Sequence, residues 1–327
     1  MKILALVYNA TDSCSFYRAG GIFPDLRRKM DVDIHLAQWN SIEIHWQKII
    51  EYDLVFMQRP FNNEAVSFAH YLKNFNVPLW VDYDDNLFAV PVENKFSKLY
   101  DDAVRNNIRE IMKAADVVSV TTEDLKSVCE EYSGNVKVIP NAFNDYIFTS
   151  RKLFGSPEKI AVWRGTDSHI FDIMTVGDAI NKITGEADDW KYYFVGFHPW
   201  YLEERKNVFN IPEMDVIFYF RRLQRMQIGV LYAPLHDSIF NRCKSNIAWI
   251  EAMYFGGVCI APDFPEWRRP GALNYTSVES FYEIFRAVKA GEVNIKAECE
   301  KGWEYIADNL LLSHVNKLRE ELIKSLI

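Results

Sequence analysis

The chain has 327 residues, about twice the length of an ordinary domain, which excludes one small fold and predicts two domains. With 49% hydrophobic and 25% charged residues it has apolar surface for two cores, which excludes a disordered chain. A net charge of −8 repels polyanions, so a nucleic acid or anionic lipid would need a local basic patch.

The amino terminus, MKILALVYNA, meets Asp12 too soon for a signal segment, and no run of 18 apolar residues occurs. The five cysteines, at 14, 129, 243, 259 and 299, contain no C-x-x-C pair, which predicts a reduced, cytoplasmic protein.

Lys2–Tyr8 reads as a buried strand, followed by a polar, glycine-bearing stretch and a helix carrying Leu26 and Arg27. Short apolar runs recur at Val32–Ala37, Leu54–Gln58, Leu79–Asp82, Val117–Thr121 and Val136–Ile139, mostly separated by helical stretches. The alternation predicts a parallel sheet covered on both faces. After Pro140 the period is lost; it restarts with Ile160–Arg164, Trp190–Val195, Val216–Phe220, Ile228–Pro234 and Val258–Ala261. The expected architecture is therefore α/β, with two doubly wound Rossmann-like domains facing a central cleft. The expected boundaries are 1–145 for the first domain, 146–158 for a linker and 159–300 for the second domain. Trp303–Ile327, within a terminal segment 301–327, reads as one helix packing back across the first domain.

Strand ends facing a crevice are the places to seek chemistry. Trp163-Arg164-Gly165-Thr166-Asp167-Ser168-His169 follows the first strand of the second half. Gly165 permits close backbone approach, amides at the following helix start favour an anion, and Arg164 adds a bidentate donor. A tight turn capped by Thr166 or Ser168 is the plainer alternative. Further on, Asn241, Arg242, Lys244 and Ser245 gather before a helix on which Glu251 lies among Ala248, Trp249, Ala252 and Met253. Cations and donors at a helix start suit a diphosphate, and a carboxylate can accept both hydroxyls of a ribose. A surface helix with ordinary charge pairs is the alternative here. Together the two clusters describe a nucleoside diphosphate site.

In the first half, VDYDDNLF places Asp82, Asp84 and Asp85 at a strand end, where mutual repulsion calls for a cation, a donor-rich ligand or a raised pKa. A D-x-D metal site and a helix cap both remain open on the residues alone. Tyr17 and Arg18 leave the first strand toward the same crevice, and Gly20-Gly21 is not a dinucleotide fingerprint. His169 is placed to donate to a sugar or phosphate, or to cap a turn. His35, His45, His70, His198, His236 and His314 show no ligand spacing and receive no metal role.

VKVIPNAFNDYIF near the junction, WRGTDSH and PLHDSIFNRCKSNIAWIEAMYFGG resemble the GT-B glycosyltransferases, specifically the family 4-like group found in phages and surface-polysaccharide loci. The resemblance spans nearly the whole chain. It implies that the second domain holds a nucleotide-sugar, with a UDP-linked donor expected, Arg164 and Lys244 neutralising the diphosphate and Glu251 on the ribose. It further implies donor contacts from Gly165, Thr166, His169, Asn241, Arg242 and Ser245, acceptor contacts from Tyr17 and Arg18, and transfer with retention and without a metal or other cofactor. Asp82, Asp84 and Asp85 become candidates for orienting or deprotonating the acceptor. The first glutamate of the family's Glu, seven residues, Glu pattern falls on Cys243. Related phage enzymes decorate hydroxymethylated pyrimidines in DNA; a saccharide is the competing acceptor, and a catalytically silent nucleotide-sugar-binding module is the non-enzymatic alternative. Residues 1–150 carry 15 basic and 21 acidic side chains, a net −6. DNA contacts would therefore fall on Arg221, Arg222 and Arg225 or on Arg268 and Arg269, which otherwise read as solvated faces.

Overall fold

The computed structural model describes residues 1–10, 12–39, 46–148, 151, 157–187 and 189–327. His45 and most of the expected linker core, 149–150 and 152–156, lie outside the described residues.

Two six-stranded sheets form the frame. The first contains β1 (Lys2–Val7), β2 (Asp33–Gln38), β3 (Leu54–Gln58), β4 (Leu79–Tyr83), β5 (Val117–Val120) and β6 (Val136–Val138), in the order β2-β1-β3-β4-β5-β6. The second contains β7 (Ile160–Gly165), β8 (Lys191–Gly196), β9 (Val208–Ile211), β10 (Val230–Tyr232), β11 (Val258–Pro262) and β12 (Ala272–Tyr275), in the order β12-β11-β10-β7-β8-β9. All these pairings are parallel, with Ile3 opposite Leu54 and Ala161 opposite Val230 among the registers. β3, β4 and β5 are buried along their whole length, as helices on both faces require. Strand order reverses between β1 and β3 in one sheet and between β7 and β10 in the other. A doubly wound sheet opens its crevice at such a point, so the loops after these four strands meet at one cleft.

Two expectations are corrected. Val216–Phe220 is the start of a helix, Val216–Met226, not a strand. Asp215 caps it by accepting from the Ile217 amide at 2.8 Å, and burial of Tyr219, Phe220 and Leu223 follows a helical face. The neighbouring strand is instead Val208–Ile211. The terminal segment is two helices, Ile295–Asn309 and Leu312–Leu326. The break lets the Phe143 amide donate to Leu310 O and the Leu312 amide to Phe143 O, both at 2.8 Å. This bridge ties the end of the chain to the junction. The last helix then packs on Phe23–Met30, where Asn316 donates to Asp25 at 2.9 Å and Lys29 to Ser313 O at 3.0 Å. An aromatic cluster closes the seam, with Phe148 stacked on Phe220 at 4.5 Å and Phe143 tilted against Tyr254 at 4.5 Å.

Arg18 and Asp82 prove to be interior residues of this frame. Arg18, 2% exposed, donates through Nε and Nη2 to the Asp82 carboxylate at 2.9 and 2.6 Å, and through Nη1 to Ile139 O and Asn141 Oδ1. The pair clamps the carboxyl ends of β4 and β6 to the first loop. Breaking one member of a buried pair leaves the other charge uncompensated, so Asp82→Ala should cost about 3–5 kcal/mol in urea denaturation. A loss below about 1 kcal/mol, the scale of an exposed pair, would contradict the clamp.

Candidate functional site

The cleft between the two sets of strand ends has a volume of about 870 Å³. Its second-half wall begins where β7 ends. The Gly165 carbonyl accepts from the Phe197 amide at 2.8 Å, and Gly196, at φ 93°, stands so near that a Cβ there would lie 2.4 Å from the Gly165 oxygen. Only glycine fits that approach. Thr166 caps the following turn by accepting from the Ser168 amide at 3.4 Å, while Arg164, Gly165, Thr166, Ser168 and His169 all border the cleft.

Arg164 donates through Nε to Glu251 at 3.0 Å. Glu251, 3% exposed, also accepts from Tyr17 at 2.9 Å and from Tyr219 at 2.8 Å. Tyr17 belongs to the first half, so this carboxylate joins both walls. Burial alone would lower the Arg164 pKa, but Glu251 beside it, with the Tyr219 and Tyr17 phenols, raises it instead. Burial and then Glu251 raise the Tyr17 and Tyr219 phenols far above their ordinary value. They are therefore donors throughout the physiological range.

Across the cleft, Lys244 reaches Asp85 at 3.0 Å and lies over the Phe240 ring at 4.4 Å. Arg59 pairs with Asp84 and, at 2.5 Å, with Asp85. It follows β3 directly and holds φ 49°, an uncommon conformation for a residue other than glycine, with its amide donating to Asp82 O. Burial pushes the Asp85 pKa up, but Lys244 and Arg59 outweigh it and hold the carboxyl well below the usual range. With Arg18 on Asp82, the repulsion within the acidic run is thus relieved by three side-chain cations. Among the described residues no group of three His, Cys, Asp or Glu side chains is arranged to hold a metal ion.

The structure brings Asp84, Asp85, Tyr17, Arg164, Gly165, Thr166, His169, Lys244, Ser245 and Glu251 to this cleft. Ser245 accepts from Asn141 at 2.9 Å, another link between the halves. It places Arg18, Asp82, Asn241 and Arg242 elsewhere. Arg242 forks onto Asp237 with two contacts of 2.6 Å and packs over Phe264. Asn241 is buried and donates to Asp172 at 2.7 Å. Cys243 is 2% exposed, takes a weak contact from Asn86 at 3.6 Å and has its carbonyl bonded by Thr122, so it too stands behind the cleft surface. Arg59 and Tyr219 are cleft residues that sequence reasoning missed. A cation directly after a strand, facing D-Y-D-D in the next strand, was the available signal for Arg59; Tyr219 was hidden in the run read as a strand.

No protein-family model matches the chain, and no curated protein matches it in sequence. Solved structures do match over its length. Sucrose-phosphate synthase from Thermosynechococcus elongatus has a TM-score of 0.66 at 12% identity, covering 99% of this chain and 98% of its own. An alpha-glucosyltransferase in complex with UDP and a 13-mer DNA containing an HMU base gives 0.68 at 11%, with 99% of each chain covered. HepE from Anabaena, in complex with UDP-glucose, gives 0.68 at 13%, covering 99% and 100%. The similarity is one of fold, and the fold is GT-B.

The Lys244–Asp85–Arg59 cluster carries an acid-sensitive share of the stability. A carboxylate with a depressed folded-state pKa contributes above its unfolded value, about 3.9, and the contribution is lost as pH falls through the folded value. Asp85→Asn should therefore flatten the fall in urea-unfolding free energy below about pH 4. Parallel curves for the variant and the unaltered protein would contradict the assignment.

Proposed function

We propose that this chain is a glycosyltransferase that moves a sugar from a UDP-linked donor to a hydroxyl acceptor. The observation that supports this most is the convergence of the Gly165–Thr166 turn, Arg164, Lys244 and Glu251 on one cleft between two parallel sheets. A diphosphate fits the turn's backbone and the two cations, and a ribose fits the Glu251 carboxylate. Structural relatives of the same fold are in complex with UDP or UDP-glucose. UDP-GlcNAc 2-epimerase from Neisseria meningitidis also shares the fold, with a lower TM-score of 0.57 at 12% identity.

In the reaction, the bond from the anomeric carbon to the diphosphate oxygen breaks as the acceptor oxygen bonds to that carbon, and the acceptor proton passes to the departing phosphate. Negative charge grows on the leaving group, so Arg164 and Lys244 act most strongly in the transition state and supply charge that a metal ion would otherwise bring. The configuration is retained in this front-face course. Asp84 and Asp85, fixed by Arg59, orient the acceptor on the first-half wall, where Phe96 and Tyr100 offer apolar and stacking surface. A hydroxymethylated pyrimidine extruded from DNA is the acceptor we favour, because a planar base suits that wall and one structural relative is in complex with HMU-containing DNA. A saccharide is the competing outcome.

Lys244→Ala and Arg164→Ala should each weaken UDP binding by about 10–100-fold in calorimetric titration, the scale of a lost hydrogen bond to a charged group. Unchanged affinity in both would remove the donor assignment. Labelled UDP-sugars offered with hydroxymethylated DNA, unmodified DNA and oligosaccharides should give transfer to the hydroxymethylated DNA and none to the unmodified duplex. Transfer to oligosaccharide alone would move the acceptor to the saccharide class, and turnover of none would favour a silent binding module.

A further inference from the structure

Behind the cleft wall lies a polar cluster that the proposed chemistry leaves unused. His169 Nδ1 lies 2.9 Å from Asp172 Oδ2, and His236 Nδ1 lies 2.8 Å from Asp172 Oδ1. The same Oδ1 accepts from the His236 amide at 3.2 Å and from Asn241 Nδ2 at 2.7 Å. Asp172, 6% exposed, thus sits in a cage of donors. Burial pushes its pKa up, but His169 and His236 outweigh this and hold it below the usual range. An ionised carboxylate only accepts, so the proton between it and His169 belongs to Nδ1. That leaves Nε2 without a hydrogen bond among the described residues, and in a neutral imidazole protonated at Nδ1 this nitrogen is an acceptor.

Three carboxylates bordering the cleft already hold protein donors. Glu251 takes three donors, Asp84 is paired with Arg59, and Asp85 with Arg59 and Lys244. A sugar brought in on a diphosphate carries hydroxyl donors that must find acceptors once water is excluded. His169 stands on the turn that begins at Gly165 and borders the same cavity as Arg164 and Lys244.

We infer that Asp172 is a positioning residue that fixes His169 as the Nδ1-protonated tautomer, so that Nε2 accepts a hydroxyl of the donor sugar. His236 and Asn241 act one step further back, by holding the Asp172 carboxylate ionised and in place. This assigns Asn241 to the support of the sugar contact and gives the isolated-looking His236 a role. The inference rests on the proposed donor reading.

The test titrates the full-length protein with UDP and with UDP-glucose, UDP-galactose and UDP-N-acetylglucosamine, and reads the gain in affinity of the best UDP-sugar over UDP. His169→Ala and Asp172→Asn should each reduce that gain about tenfold, with any loss on UDP itself far smaller, and the double variant should lose no more than either single one. Equal losses on UDP and UDP-sugar, or additive losses, would overturn the positioning role, as would the absence of any gain in the unaltered protein. Failure of UDP to bind the unaltered protein would instead overturn the donor reading beneath it. Should Asp172→Asn not fold, His169→Ala alone carries the comparison, and histidine ¹⁵N shifts of the unaltered protein read the tautomer directly. Protonation at Nδ1 supports the assignment, and protonation at Nε2 overturns it.

Discussion

Two contacts across one cleft, Lys244 with Asp85 and Tyr17 with Glu251, join sheets that are otherwise wound independently. Each places a charged group of one half in the field of the other, in surroundings where water screens poorly. The consequence is a site whose cations are held by carboxylates rather than by solvent. An arriving diphosphate would take Lys244 from Asp85 and leave Asp85 with Arg59, so donor capture and acceptor orientation share one acidic side chain. Arg164 differs. Its partner Glu251 is itself held by two phenols and stays in place, which keeps one cation and the pentose acceptor in fixed relation.

The fold supplies these positions through a small number of backbone decisions. The strand order reverses once in each sheet; Arg164 sits at the end of β7, and the segments leaving β1, β3 and β10 carry Tyr17, Arg59 and the approach to Lys244. Gly196 and Gly165 let two strand ends touch, which sets the depth at which a ligand meets the Arg164 turn. Far from the cleft, the break at Leu310–Leu311 lets the last helix return to the first half, and Asn316 on Asp25 seals that return. The crossing limits how the halves separate without adding any group to the site.

Much of this was legible in the chain. Runs such as LALV, LVFM and VVSV alternate with longer helical stretches, and the parallel sheets followed from that alternation. VIFYF failed because a five-residue apolar run fits a strand and one face of a helix equally; only the cap at Asp215 and the later Leu223 settle it. VFNI and ALNY escaped notice because edge strands are partly exposed and carry polar residues. WRGT was readable because its parts are contiguous. Arg18, Asp82 and Asn241 announced polarity at strand ends, yet whether such groups face a ligand or each other depends on partners 64 or 69 positions away. Asp172 had a local signal only in His169 three positions before it, while His236 and the Asn241 amide are brought to it by the fold.

The proposed chemistry then depends on where a pyrophosphate lies. A crystal of the protein soaked with UDP tests this directly. The account predicts density with the phosphates against the Gly165–Thr166 turn between Arg164 and Lys244, and the ribose hydroxyls on Glu251. Density against the Arg59–Asp84 wall, or on the surface arginines of the Val216–Met226 helix, would contradict it.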